Sequence, residues 1–377
     1  MIFRTFLTTF IAAMTLGVVN MNATGRTDLH SYVIASVVGS GIVVFALVMA
    51  ILVHELGHVV SGRLAGFKFV SLLVGNLGIR AKAEGGLAFY WVTKSFAGGI
   101  AAMDMAPGDN LRIRFRRMVR GGPVASILWC FFTFALFVAS SPPQGAQLSF
   151  LAFIGYWIPP ILFLMSVVIL PGAFWPKPVR GMLTDIFLLR RLRHDGPETD
   201  RLIAIFQTTH SIRLGLRARD WSPALIESAG RLRDGGVEEM QARILAYYHF
   251  SDRGSFDRAQ NELDRANEIL PRKEVDRGPT GQSIVYAKAF THARANEPVE
   301  ARAVFESVKQ PLDLLDSSRQ KALAAVLLSE GRAAEAVSAV EASHKALTKL
   351  SGIFPGDVTA DREILDSLER EAEAKAF

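Results

Sequence analysis

The stretch His54-Glu55-Leu56-Gly57-His58 directly follows Ser31 to Val53, twenty-three residues without a charged side chain. A helix of that length crosses a bilayer, so the motif is predicted to form the last turns of a membrane span. Residues four apart share one helical face, so His54 and His58 can bind one metal ion. Glu55 lies on the neighbouring flank, where it can accept a proton from water. The alternative is a pair of core histidines, but ionisable side chains are costly in a bilayer without a purpose.

The composition predicts a mainly α protein with two parts. Half of the 377 residues are hydrophobic, and they are concentrated in the first half of the chain. We expect a membrane domain over residues 1–200 and a soluble α-helical domain over residues 201–377. The single cysteine, Cys130, excludes a disulfide framework within the chain and a zinc site built from cysteines.

The apolar runs predict a polytopic helical membrane domain of about four spans. The spans are expected at about 3–20, 31–60, 121–140 and 148–171. A retained first span is favoured over a signal peptide, because Met21-Asn22-Ala23 is a poor cleavage site. Between Gly121 and Pro176 no residue is charged, and a polar break at 140–144 divides this run into two spans. Pro159-Pro160 is predicted to kink or interrupt the last span.

Charge asymmetry predicts the orientation. Basic residues outnumber acidic ones between Arg63 and Arg120, and more follow the last span. The positive-inside rule therefore places both termini, the His54–His58 end and the C-terminal domain in the cytoplasm. Five arginines lie within residues 112–120. Binding of nucleic acid or anionic lipid is an alternative for this run, but membrane anchoring is the simpler interpretation, and no nucleic-acid partner is expected.

The segment between the second and third spans is predicted to contain a small β-hairpin or sheet. Phe67 to Val74 and Leu87 to Val92 have strand-like composition and are separated by glycines. This insertion is expected to lie at the membrane surface or to dip into it. Gly98-Gly99-Ile100 follows as a stretch of bare backbone against which an extended chain could lie.

The C-terminal part has an irregular helical repeat. Its best unit begins at Gly254, with weaker copies at Asn296 and Gly331. The pattern resembles tetratricopeptide repeats and predicts three helical hairpins stacked into a short solenoid that contacts a partner or substrate. A generic helical bundle fits the sequence equally well.

A catalytic zinc usually needs a third protein ligand besides the two histidines. The other histidines lie on the far side of the membrane, at a solvated helix end or in the soluble half. Asp185 shares an apolar helical face with Met182, Ile186 and Leu189, and a carboxylate there needs a partner such as a cation. Capping of a helix that starts at Ile186 explains Asp185 equally well.

Residues 31–200 resemble the site-2 protease-like intramembrane metalloproteases of the sporulation-factor-processing type. The resemblance rests on four motifs: His54 to His58, Gly98-Gly99, Gly121-Gly122-Pro123, and Leu170-Pro171 followed by Gly181 to Asp185. It implies that Asp185 is the third ligand of one Zn²⁺ per chain and that Gly98 and Gly99 lie on an edge strand that pairs with extended substrate. Glu55 is then the general base of peptide hydrolysis.

The resemblance implies a multi-pass zinc metalloendopeptidase of the bacterial inner membrane. Its expected partners are a membrane protein substrate, the lipid bilayer and a protein bound to the helical repeats. Two positions differ from the family pattern: Ile186 replaces the usual glycine, and Val167-Val168-Ile169 replaces the usual asparagine region. An inactive pseudoprotease that serves as a scaffold is therefore the alternative. A zincin with its catalytic domain in water is disfavoured, because fifty-six uncharged residues, 121–176, leave little soluble fold around the motif.

Overall fold

A computed structural model describes residues 29–82, 85–91, 98–105, 108–140, 150–174, 184–270, 279–350 and 355–376. The chain divides into two compact units, Met1–His194 and Asp195–Phe377. Helices dominate both units, and the described residues contain one small antiparallel sheet. The prediction of a mainly α fold with a small β insertion is confirmed.

The first unit contains four described helices. They are α1 (Leu29–Leu64), α2 (Leu111–Ala139), α3 (Phe150–Ala173) and α4 (Asp185–Arg191). Val37–Leu64, Leu111–Ala139 and Gly155–Gly172 are long and apolar enough to cross a membrane. These segments correspond to the predicted second, third and fourth spans, whereas the predicted span at 3–20 lies outside the described residues.

Two details of the spans differ from the simplest expectation. The helix α2 starts ten residues before the predicted span, because the arginine-rich run is part of the helix. The helix α3 continues through Pro159 and Pro160 as one element, so these prolines do not interrupt it. Membrane helices tolerate proline because neighbouring groups can satisfy the backbone groups that it frees.

Glycine contacts bring α1 and α2 close together. A Cβ on Gly57 would lie 2.3 Å from the carbonyl oxygen of Gly121, and a Cβ on Gly121 would lie 2.1 Å from the carbonyl oxygen of Gly57. Such close backbone approach at small residues is typical of helix packing in membranes. The metal-binding motif of α1 therefore faces α2 directly.

The sheet lies between α1 and α2 in sequence. Its strands are β1 (Lys68–Val74), β2 (Leu77–Ala81), β3 (Leu87–Trp91) and β4 (Gly99–Asp104), in the spatial order β3-β2-β1-β4. Neighbouring strands are antiparallel, and β4 forms an edge. The two strands predicted from composition are present as β1 and β3, and β4 agrees with the edge strand that the resemblance implied at Gly98-Gly99, but β2 was missed. Gly78 in β2 weakens a strand pattern, and the structure compensates by placing the ring of Tyr90 over it.

The second unit is entirely helical over its described residues. Its α-helices are α5 (Pro197–Arg213), α6 (Pro223–Gly230), α7 (Val237–Asp252), α8 (Phe256–Ile269), α9 (Pro279–Arg294), α10 (Pro298–Phe305), α11 (Asp316–Ser329), α12 (Ala333–Leu350) and α13 (Pro355–Ala376). Short 3₁₀ turns occur at Ala218–Asp220 and Asp313–Leu315.

Three helical hairpins lie in this unit: α7 with α8, α9 with α10, and α11 with α12. The turns contain Gly254, Asn296 and Gly331, which have left-handed backbone angles with φ of 73°, 62° and 78°. Glycine and asparagine adopt this conformation at low cost, so they suit tight turns after a helix. The three positions at which the sequence repeat was recognised are thus the hairpin turns. Their assignment to a tetratricopeptide-type solenoid remains a prediction.

Candidate metal centre

Three side chains of the first unit converge on one point. His54 and His58 lie one turn apart near the end of α1, and Asp185 is the first residue of α4. The His54 Nε2 atom lies 3.0 Å from Asp185 Oδ2, and the His58 Nε2 atom lies 3.3 Å from Asp185 Oδ1. The two Nε2 atoms are 3.2 Å apart. The structure therefore brings together the three residues that the sequence singled out as ligands.

These separations fit a tetrahedral zinc ion. Zn–N bonds of about 2.05 Å at a tetrahedral angle place two ligand atoms about 3.3 Å apart. The distance between the two Nε2 atoms, and the distance from each of them to a different oxygen of Asp185, lie within a few tenths of an ångström of this value. Two imidazole nitrogens and one carboxylate oxygen are also a ligand set that catalytic zinc sites use. The arrangement could hold a metal ion.

The first turn of α4 sets the position of Asp185. Thr184 occupies the N-cap position and Asp185 starts the helix, so Asp185 is not the cap of a helix that begins at Ile186. Burial acts to raise the pKa of the Asp185 carboxyl, but the neighbouring His54 and His58 outweigh it and hold the pKa below its usual value. Asp185 is therefore an anionic group at neutral pH.

Each imidazole is oriented by a partner on α2. The His54 Nδ1 atom lies 2.8 Å from the Ser126 hydroxyl oxygen, and the His58 Nδ1 atom lies 3.1 Å from the Met118 carbonyl oxygen. A carbonyl can only accept, so His58 donates from Nδ1 and its Nε2 lone pair points toward the converging donors. Hydrogen bonds of this kind fix the tautomer of a metal-binding histidine.

Gly122 gives the two histidines the room that they occupy. A Cβ at this position would lie 2.2 Å from His58 Nε2 and 2.8 Å from His54 Cε1. A side chain there would have to displace the two rings or the backbone of α2, because real Cβ atoms essentially never approach other atoms within 3.0 Å. The bare backbone of α2 therefore forms one wall of the site.

Glu55 lies against the edge strand β4. Its side chain is only 7% exposed, and the backbone of Ala101 is hydrogen-bonded to its carboxylate. A Cβ on Gly99 would lie 2.4 Å from Glu55 Oε1, so a side chain at that position would displace the Glu55 carboxylate. The neighbouring Gly98 accepts a 2.9 Å hydrogen bond from the amide of Gly75 through its carbonyl oxygen. The structure thus brings Gly99 to Glu55, whereas Gly98 joins β4 to the end of β1.

The chain matches a known protein family over most of its length. The model of Peptidase family M50 matches residues 42–363, which is most of the chain. The chain belongs to Peptidase family M50. Searches of curated proteins and of solved structures gave no match.

Membership in family M50 establishes the general chemistry. The protein is a hydrolase and a membrane metalloprotease, which agrees with the three candidate spans and with the group His54, His58 and Asp185. A metallopeptidase needs a metal ion, typically zinc. The expected site-2 protease-like family is confirmed.

Sequence reasoning missed the α2 partners in this M50 peptidase. Ser126 is the clearest omission, because a hydroxyl within a run of apolar residues can indicate a function. The contact from Met118 could not be read from its side chain, since its backbone carbonyl is the acceptor. Gly122 was noted only as part of a motif and not as the wall of the site.

Proposed function

We propose that the protein is a site-2 protease-like zinc metalloendopeptidase that hydrolyses peptide bonds of membrane-associated proteins within the bilayer. The observation that carries this proposal is the convergence of His54, His58 and Asp185 next to Glu55, at the end of a helix that is long and apolar enough to span a membrane. Family M50 supports the membrane metalloprotease, and the specific roles below are inferred from this arrangement.

The proposed cofactor is one Zn²⁺ per chain, held by His54, His58 and Asp185. When bound, zinc acts as a Lewis acid and lowers the pKa of its water toward about 7. Asp185 supplies the negative charge among the three ligands. Ser126 and the Met118 carbonyl keep the two imidazoles in the orientation that presents Nε2.

Glu55 is the proposed general base. It follows His54 directly in α1, and its carboxylate is held against β4 by the backbone of Ala101. In hydrolysis Glu55 accepts the proton of the attacking water and then donates it to the nitrogen that leaves when the peptide bond breaks. A fixed carboxylate in a buried position suits this role, because it need not reorient between the two transfers.

The proposed substrate-binding element is β4, an edge strand among the described residues, with Gly98 directly before it and Gly99 as its first residue. An extended peptide can add to a sheet edge through main-chain hydrogen bonds. The contact between Gly99 and Glu55 means that a strand on this edge would pass close to the general base. Such pairing also suits a substrate helix that must unwind before its peptide bonds become accessible.

The proposed setting is the bacterial inner membrane, with residues 1–200 as the protease domain and residues 201–377 as a cytoplasmic domain. The basic residues around the spans support this orientation through the positive-inside rule. The β3 side chains Leu87, Phe89 and Trp91 are exposed, which suits a sheet at the membrane surface or dipping into it. The helical hairpins would contact a protein partner or the membrane protein substrate, and no nucleic-acid partner is proposed.

The scaffold alternative is not favoured. It rested on two departures from the family pattern: Ile186, which follows Asp185 where the family usually has glycine, and Val167-Val168-Ile169, where the family usually has asparagine. Asp185 nevertheless reaches both histidines, and Glu55 is in place. The proposed ligands and the proposed base therefore lie close together, which supports the protease over the scaffold.

The decisive experiment compares the wild type with Glu55→Gln and His54→Ala, each as the full chain in proteoliposomes. Zinc per chain is measured by atomic spectroscopy, and cleavage of a library of single-span peptides is followed by mass spectrometry. We expect one zinc in the wild type and in Glu55→Gln, cleavage by the wild type alone, and neither zinc nor cleavage in His54→Ala. Equal cleavage by wild type and Glu55→Gln would refute the role of Glu55, and a wild type without zinc would refute the cofactor.

A separate experiment tests the topology. A reporter that is active only in the cytoplasm is fused after Phe377. Activity is expected, because the C-terminal domain is proposed to be cytoplasmic. A signal obtained only with an exported reporter would contradict the orientation.

A further inference from the structure

The helix α4 is too short to hold its own position. It has seven residues and starts with Asp185. Isolated helices shorter than about 12 residues are marginal in water, because the first turn is costly to nucleate. The location of the Asp185 carboxylate therefore depends on contacts that hold the rest of α4 in place.

Leu192 and Arg112 help to hold the C-terminal end of α4. Leu192, directly after the helix, is fully buried. The Arg112 Nη1 atom donates hydrogen bonds to the carbonyl oxygens of Leu192 at 3.3 Å and Arg193 at 3.1 Å. The last carbonyls of a helix lack partners within the helix, and a positive charge at that end is favourable. Arg112 supplies both the missing donors and the charge.

Arg112 belongs to the same helix that orients the two histidines. It lies in the first turn of α2, whereas Ser126 and Met118, farther along α2, contact His54 and His58. One helix therefore contacts the elements that carry all three proposed ligands. Of these three residues, Arg112 is the one that contacts α4, and it does so at the end opposite to Asp185.

We propose that Arg112 is a positioning residue that fixes Asp185 at the metal centre by holding the far end of α4. This inference rests on the metal site of the proposed function. Seven residues separate Asp185 from Leu192, which is about 10 Å at a rise of about 1.5 Å per residue. A tilt of about 10° around the Arg112 contact would then move the carboxylate by about 2 Å. Metal–ligand distances tolerate about 0.2 Å, so such a tilt removes the ligand.

The competing explanation is that Arg112 only anchors α2 at the membrane surface, as its neighbours in the basic run do. Arg117 provides the matched control. It lies on the same helix five residues later, is exposed, and carries the same charge. Replacement of either arginine by glutamine removes one positive charge from α2, but only the change at Arg112 removes the hydrogen bonds to Leu192 and Arg193.

The test measures zinc affinity of full-length protein in phosphatidylethanolamine and phosphatidylglycerol nanodiscs by competition with a chelator. Loss of a group that orients a ligand typically weakens metal binding by about 10- to 100-fold. We expect that loss for Arg112→Gln, a smaller one for Arg112→Lys, which keeps a cationic donor, and wild-type affinity for Arg117→Gln. If Arg112 acts through Asp185, the Asp185→Ala variant and the double variant Asp185→Ala/Arg112→Gln should bind zinc equally weakly.

Hydrogen exchange of the metal-free proteins gives a second measurement that does not depend on zinc. Amides of α4 should exchange faster in Arg112→Gln than in the wild type and in Arg117→Gln, while amides at the α1–α2 contact stay unchanged. Wild-type zinc affinity in Arg112→Gln, or a further loss in the double variant, would overturn the role of Arg112 and leave the metal site intact. A wild type that binds no zinc would overturn the proposed function and this inference with it.

Discussion

Replacement of Gly122 by alanine is the smallest change expected to destroy the metal centre. The added methyl group would lie 2.2 Å from His58 Nε2 and 2.8 Å from His54 Cε1. The first of these atoms is a proposed zinc ligand. Neither histidine would be replaced, and the chemical nature of every donor would stay the same.

The magnitude follows from the distances. A carbon and a nitrogen in ordinary contact need about 3.5 Å, so the ring of His58 or the backbone of α2 must move by more than about 1 Å. The site tolerates about 0.2 Å in its metal–ligand distances. A retreat of α2 is opposed by its contact with Gly57 and would also break the hydrogen bonds that orient the histidines. We expect zinc affinity to fall by about 100-fold or more, the upper end for loss of orienting groups.

The expected loss of zinc affinity cannot be explained by a weaker helix, because replacing glycine by alanine stabilises a helix. Glycine to alanine inside a helix favours the helix by about 1 kcal/mol. Gly155→Ala in α3 is the matched control, since nothing lies within 4 Å of a Cβ there. Chelator competition should give wild-type zinc affinity for Gly155→Ala and strongly reduced affinity for Gly122→Ala, with similar helix content by circular dichroism. Wild-type affinity in Gly122→Ala would refute the assignment of this wall to the metal centre.

Three further predictions concern other parts of the chain. Gly99→Ala should displace Glu55, because the added Cβ would lie 2.4 Å from Glu55 Oε1. Cleavage should fall by about 100-fold while zinc affinity stays unchanged. Loss of zinc as well would contradict the separation of the general base from the metal ligands. Ser126→Ala removes the hydroxyl that lies 2.8 Å from His54 Nδ1 and should weaken zinc binding by about 10-fold in chelator competition. An unchanged affinity would show that this contact is dispensable. Burial lowers the pKa of His249 in the folded chain. Below about pH 6.5 the unfolded chain therefore binds a proton more readily than the folded chain does, and the free energy of unfolding decreases as the pH is lowered. Hydrogen exchange of α7, corrected for its intrinsic pH dependence, should show this loss in the wild type and not in His249→Asn.

The spans and the two histidines could be predicted because their determinants are local. An apolar run of sufficient length predicts a membrane helix, and a four-residue spacing places two side chains on one face. The strands β1 and β3 were found for the same reason, since their alternation and bulky residues are local features. The strand β2 was missed because Gly78 breaks the pattern, and its compensation by Tyr90 comes from a neighbouring strand.

Asp185 marks the limit of local reasoning. From its apolar face alone, a ligand and a helix cap were equally good explanations, and only the resemblance to a family favoured the ligand. The structure separates the two explanations through contacts across more than a hundred residues, because Asp185 starts α4 and its carboxylate meets both histidines. Such a contact depends on the packing of α4 against α2, which no periodicity of α4 itself encodes.

The packing of α1 against α2 explains why the site needs so few residues of its own. Met118, Gly122 and Ser126 follow one another at steps of four on α2, the same step that separates His54 from His58 on α1. Because the two helices are closely packed, a single point of contact fixes the register of both histidines against α2. Gly57 and Gly121 provide that point. The glycine inside the motif therefore sets the metal centre as much as the histidines that flank it, although it supplies no ligand.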